Sequence, residues 1–135
     1  MVERKIEQQV ITFLREKLDP YLIVVFGSTA KGTERVDSDL DLAYLSNHKL
    51  EKYDRFMVSQ ELAALVNKDV DLVDLNQVST VFAAQIIQSG KTILCIDDKR
   101  RMEYEMKTLK MYAKLNEERE IVMKRIEESG SIYEK

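Results

Sequence analysis

Cysteine occurs once in the chain, at Cys95, so no intrachain disulfide framework can hold the fold, and a reducing, cytoplasmic setting is expected. No run approaches the ~20 continuous apolar residues of a membrane span, and the layout of a signal peptide is missing, so no membrane association is expected. Histidine is equally scarce. His48 stands in the polar stretch Ser46-Asn47-His48 with no second histidine or cysteine at metal-ligand spacing, and it reads as a solvated loop residue. An excess of positive charge is also lacking: 21 Lys and Arg against 24 Asp and Glu leave a net charge of −3. That excludes the broad basic surface with which most nucleic-acid binders displace counterions, and no direct nucleic-acid contact is expected. Internal repeats and low-complexity linkers are absent too. A chain of 135 residues is long enough for one sizeable core and too short for two ordinary domains. We therefore read 1–135 as one domain, with a core over about 20–97 and a helical segment over about 98–129.

What is present is an alternation of helical and extended patterns. Ile6, Val10, Phe13, Leu14 and Leu18 recur at helical spacing over residues 3–18, and Pro20 stops the pattern. Tyr21 to Phe26 is continuous and β-branched and ends at Gly27, as expected of a strand buried on both faces. From Asp39 to Leu45 the chain alternates, with Asp39, Asp41, Ala43 and Leu45 on one face and Leu40, Leu42 and Tyr44 on the other. Residues 52–66 return to helical spacing, Asp69 to Leu75 predicts a third strand, Val78 to Ser89 a helix stopped by Gly90, and Lys91 to Ile96 an edge strand. The segment from Asp98 to Ser129 predicts a long or broken helix ended by Gly130. The fold class is α/β (α+β), a small mixed β-sheet flanked by helices.

The chemistry concentrates between Phe26 and Leu42. Gly27 has no side chain to keep a phosphate from the main chain, and Ser28 offers a hydroxyl and an N–H at a helix start, together a triphosphate seat. The segment is not a Walker A loop, because Gly32 is followed by Thr33 rather than Lys, and no GxGxxG is present. Asp39 and Asp41 lie two apart on a strand, so both carboxylates leave one face and can share hard cations. Two Mg²⁺ ions about 3.5–4 Å apart would clamp the attacking and leaving oxygens of an in-line displacement. A third acid is sought on the later strand, where Asp69 and Asp71 share a face and Asp74 lies opposite. Either of the first two can complete the metal set or receive the acceptor proton; Asp71 is preferred for its place between Val70 and Leu72.

Gly27-Ser28, ten intervening residues, and Asp39-Leu40-Asp41 match the GSx10DxD signature. On that signature the chain resembles the polymerase-β-like nucleotidyltransferases. GSTAKG followed by SDLDL and VDLVDL is more narrowly similar to the minimal nucleotidyltransferase (MNT) antitoxins that accompany HEPN-domain ribonuclease toxins. The resemblance spans roughly residues 20–97 by motif. It implies the polymerase-β-like fold and an ATP-using, Mg²⁺-dependent transfer of AMP to a tyrosine hydroxyl of a HEPN partner. It further implies triphosphate contact by Gly27 and Ser28, metal binding by Asp39 and Asp41, and Asp71 as the third carboxylate. Ser38, beside Asp39, is counted with the nucleotide-binding residues. Lys31 stands where the family usually carries Arg, keeping the charge and losing the bidentate fork.

Size favours a macromolecular acceptor, because the sheet and its covering helices consume most of the chain and leave little to enclose a small one. Two other readings stay open here: a non-catalytic antitoxin that neutralises by binding, and transfer to a small-molecule hydroxyl, for which a homo-oligomer would have to complete the pocket. Outside the motif, Cys95 in an apolar strand reads as a small buried hydrophobe. Met102, Met106, Met111 and Met123 in the charged C-terminal segment read either as part of a solvated helix face or as an adaptable partner surface.

Overall fold

The computed structural model describes residues 4–27 and 39–129. Among them the chain forms α1 (Arg4–Lys17), β1 (Pro20–Phe26), β2 (Leu40–Ser46), α2 (Lys52–Val66), β3 (Val70–Asp74), α3 (Thr80–Ser89), β4 (Lys91–Cys95) and α4 (Asp98–Ser129). The four strands make one sheet in the order β3-β2-β1-β4. β1 runs antiparallel to both β2 and β4, whereas β2 and β3 are parallel, so the sheet is mixed as the alternation of elements predicts.

Alternation along the strands builds a core on each face. Ile23 and Val25 of β1, Leu40, Leu42 and Tyr44 of β2 and Leu72 of β3 turn to one side, where Val10 and Leu14 of α1 and Val58, Leu62 and Val66 of α2 cover them. Leu22, Val24 and Phe26 of β1, with Ala43 and Leu45 of β2, turn to the other, against Ile86 and Phe82 of α3 and Tyr104 of α4. Each fully buried aliphatic side chain contributes about 1.5–3 kcal/mol on leaving water. β1 therefore carries apolar residues at nearly every position because it lies between two neighbours and under helices on both faces.

The element ends follow local chemistry. Asn67 adopts a left-handed conformation (φ 56°) and its N–H donates to Ala63 O, closing α2. The Ser79 hydroxyl accepts from Phe82 N and caps α3, which starts at Thr80, two residues after the predicted Val78. Gly90 stops α3 as expected: a Cβ there would lie 2.5 Å from both Ile86 O and Val24 Cγ1. Gly130, the expected stop of the last helix, lies outside the described residues.

One expectation is corrected, and one left open is decided. Cys95 is not a buried hydrophobe: β4 is an edge strand, the residue is half-buried, and its thiol donates to Asp98 Oδ1 at 3.2 Å. Burial, and then the Asp98 carboxylate, push its pKa up. The C-terminal segment is one unbroken helix of 32 residues. Its first turns are pinned by Tyr104, whose hydroxyl donates to Leu75 O at 2.6 Å, and by the Arg100 guanidinium, 4.0 Å from the centre of the Tyr21 ring. Beyond Tyr112 its side chains are exposed almost without break. The four methionines are exposed but do not form one stripe: at about 100° per residue, Met102 and Met106 leave the side of the helix opposite Met111. Among the described residues no helix is long and apolar enough to cross a membrane.

Candidate functional site

Strand register assembles the acids. Asp41, the second residue of β2, is paired with Phe26 of β1 on one side and with Asp71 of β3 on the other. Ala43 and Leu45 lie buried on the α3 face, so Asp41, two residues before Ala43, projects toward that same face. Val73, packed there too, fixes Asp71 in the same direction. Asp39 stands immediately before β2 in the same alternation, and Gly27 follows Phe26 at the end of β1. One row across three strands thus brings together the turn glycine and the acids that the sequence singled out.

Electrostatics register that convergence. Burial raises the pKa of Asp41 above its ordinary 3.8, and the nearby charges of Asp71 and then Asp39 push the same way. Of the three candidates for a third acid, Asp71 is therefore the one that acts on Asp41. Asp69 enters the sheet through its backbone, its carbonyl accepting from Leu40 N at 2.8 Å. Asp74 is buried and spent on a turn: Oδ1 accepts from Asn76 N at 2.9 Å and Oδ2 from Gln77 Nε2 at 3.2 Å.

Gly27 is required by the packing. Its φ is +74°, in the region that favours glycine, and a Cβ built on it would overlap the Asp41 carboxylate at Oδ2 and lie 3.2 Å from Cγ. The bend and the acid are in direct apposition, with nothing interposed. Ser28, Lys31 and Ser38 lie outside the described residues.

The donor set fits a hard divalent cation that completes its shell from elsewhere. Among the described residues no three carboxylate, thiol or imidazole groups converge closely enough to hold a metal by themselves. Magnesium commonly takes one or two carboxylates and fills its remaining positions from phosphate oxygens and water. Asp39 and Asp41 supply such a pair, and the repulsion from Asp71 and Asp39, which adds to burial in raising the Asp41 pKa, is the field a cation would relieve.

Burial of the Asp41 charge, with that repulsion, carries a stability cost. With its folded pKa above its unfolded one, Asp41 holds a proton more tightly in the native state, so stability declines as pH rises from about 3.8 through the raised value and then levels off. Asn at this position is neutral throughout. Asp41→Asn is expected to raise the unfolding temperature at neutral pH without divalent cation, and the gap from the parent protein should close in acid. An Asn variant less stable than the parent at pH 7 would show that the Asp41 charge is no cost to the fold.

Sequence reading did not anticipate the wall that faces Gly27. A cavity of about 520 Å³ lies between the end of β1 (Phe26, Gly27) and α3 (Phe82, Gln85, Ile86, Gln88). No local signal marks these residues, since polar residues interleaved with apolar ones are what any helix covering a sheet displays.

A mixed four-stranded sheet bearing a glycine bend against paired strand acids defines a nucleotidyltransferase. The chain belongs to the polymerase beta nucleotidyltransferase family, whose model matches residues 8–99, from within α1 to the start of α4. It is 35% identical over 118 residues to the protein adenylyltransferase MntA of Shewanella oneidensis, an alignment covering 87% of this chain and 84% of the relative. Among solved structures it is similar to a toxin-antitoxin crystal structure with AMP-PNP (TM-score 0.80, 34% identity, 89% of this chain and 97% of that one). It is also similar to a complex of the tri-AMPylated Shewanella oneidensis HEPN toxin with its MNT antitoxin (TM-score 0.77, 30% identity, 93% and 98%).

Proposed function

We propose that this nucleotidyltransferase is the antitoxin of a toxin–antitoxin pair and acts by transferring AMP from ATP to a tyrosine hydroxyl of a HEPN-type partner. The observation that carries the reading is the row of Gly27, Asp41 and Asp71 across the sheet, a phosphate-accepting bend pressed against two acids. The likeness to a protein adenylyltransferase and to complexes holding an ATP analogue or an AMPylated toxin supports the choice of nucleotide and acceptor. Assembly with the partner then makes the active form a hetero-oligomer.

In this reading Gly27 and Ser28 seat the triphosphate, Lys31 places a positive charge beside it, and Ser38 lies with the nucleotide contacts. Asp39 and Asp41 would hold Mg²⁺, two ions in the full set, and the metal when bound offsets the negative charge gathering on the phosphate oxygens. The tyrosine oxygen forms a bond to the α-phosphorus while the bond from that phosphorus to the bridging oxygen breaks, and pyrophosphate leaves. The phenolic proton passes to a carboxylate, which we assign to Asp71. As an exposed acid beside Asp41, it can receive a proton from a side chain arriving on a second protein.

The test is intact-mass measurement of the partner after incubation with this protein, ATP and Mg²⁺. The partner should gain one or more AMP units, and Asp71→Asn should slow the gain by about 100-fold, in the range of a lost general base. A partner that stays unmodified yet is neutralised equally well by the Asp39→Ala, Asp41→Ala double variant would replace this reading with inhibition by binding alone.

A further inference from the structure

Among the described residues β3 ends the sheet on one side, and beside it a groove of about 270 Å³ lies against α2. Val70, Asp71 and Leu72 line it from the strand, Lys52, Arg55 and Phe56 from the helix. These three helix residues stand three and four apart and share one side of α2, while Val58, Leu62 and Val66 turn to the core. One of the five Arg55 N–H groups donates to Gln77 Oε1 at 3.4 Å. The groove falls below the roughly 300–1,000 Å³ of small-molecule pockets, so it has room for one or two side chains and not for a nucleotide. Around it α2 leaves apolar surface in water: Tyr53 is 69% exposed, Phe56 56% and Met57 40%. Tyr, Phe, Met and Arg are the residues enriched where proteins meet, and here all four kinds stand between Tyr53 and Met57.

An in-line displacement puts the attacking oxygen and the departing pyrophosphate on opposite sides of the α-phosphorus. Gly27 at the end of β1, Asp41 of β2 and Asp71 of β3 follow one another across the sheet. With the triphosphate at the bend, the acceptor arrives over β3. We infer that the groove between α2 and β3 docks the acceptor-bearing segment of the partner protein, an extended stretch with an acidic side chain for Lys52 and Arg55 and an apolar one for Phe56. The inference rests on the proposed transfer to a partner tyrosine and adds where that segment lies and what recognises it. An outermost strand offers backbone groups to an extended segment, the mode by which strands add to a sheet. Alternation puts Val70 and Leu72 on the α2 side and Asp71 on the other, so groove and carboxylate lie on either side of one strand. A strand is about 4.8 Å across, judged by the spacing of neighbours, and a tyrosine side chain is long enough to turn over it.

The experiment compares the full-length parent with Phe56→Ser and Lys52→Glu, both at exposed positions where the fold should be retained. Calorimetry measures the affinity of each for the purified HEPN-type partner and for ATP, and transfer kinetics measure KM for the partner. Each variant should bind the partner about tenfold more weakly, with the loss falling on KM rather than kcat and ATP affinity kept. The loss in Lys52→Glu should shrink at high salt. A photoreactive p-benzoylphenylalanine placed at position 56 should cross-link to a partner peptide that holds the tyrosine gaining AMP or directly adjoins it. A cross-link to a distant part of the partner or to a second copy of this chain would overturn the assignment, as would unchanged partner affinity in both variants. An equal loss of ATP affinity would also overturn it, by making the groove part of the nucleotide seat. Weakened partner binding in a protein that transfers no AMP would keep the docking surface and remove the proposed function, whereas AMP transfer with KM unaltered in both variants would do the reverse.

Discussion

Gly27→Ala is expected to lower both stability and transfer. The left-handed φ of Gly27 costs an L-residue about 1–2 kcal/mol. The new methyl would also occupy the position of Asp41 Oδ2, and forcing an extra carbon into a filled place costs about 1–3 kcal/mol. The Asp41 side chain is the one that can yield, so the damage passes straight to the chemistry. Denaturant unfolding should show a loss of roughly 2–5 kcal/mol from these two contributions together. AMP transfer should fall by at least about 100-fold, since misplacing a reacting group by an ångström already costs that much. If the variant kept the stability and the ATP affinity of the parent, the close approach of bend and acid would have no part in binding.

The second large effect concerns the acids themselves. Asp39→Asn and Asp41→Asn keep shape and remove charge, so any loss reports on charge rather than packing. Stabilisation of phosphoryl charge by a bound cation is worth several kcal/mol, and every ~1.4 kcal/mol is tenfold in rate. Each variant should therefore transfer AMP about 1,000-fold more slowly, and the double variant should be little worse than either, because residues acting as a unit do not add. Paired with the thermal measurement above, Asp41→Asn becomes a protein sturdier and slower than its parent, the trade expected where a site stores repulsion for use. Full transfer by either variant would remove the acids from the proposed mechanism.

Much of this arrangement can be read from the residues. The alternation from Asp39 to Leu45 already divides the acids from Leu40, Leu42 and Tyr44, and the two cores of the structure divide on that line. The helical spacing of Val10, Leu14 and Leu18 likewise announces the side of α1 that is buried. What cannot be read locally depends on which strands become neighbours. Nothing near Asp71 tells it apart from Asp69 by periodicity; the pairing of Asp71 with Asp41 does, and that pairing joins residues thirty positions apart. Cys95 was misjudged for a local reason: the apolar Ile93 and Leu94 beside it suggested burial even in a strand read as an edge, and the short turn into α4 leaves its sulfur beside Asp98, three residues on. The α3 wall of the cavity is the extreme case, since its residues line a cavity only through the end of β1 that stands opposite them.

β2 and β3 point the same way in a sheet whose other pairings are antiparallel, and a consequence reaches beyond the architecture. Strands that set out together have their opening residues abreast, so an acid near the start of each arrives at one rim; reversed, β3 would carry its acid to the far rim. Because side chains alternate, a slip of a single residue would turn Asp71 inward and Leu72 out to water. The oily side chain thereby acts as a latch for the acid next to it. Chemistry at the rim is held in alignment by the reluctance of leucine to be wet.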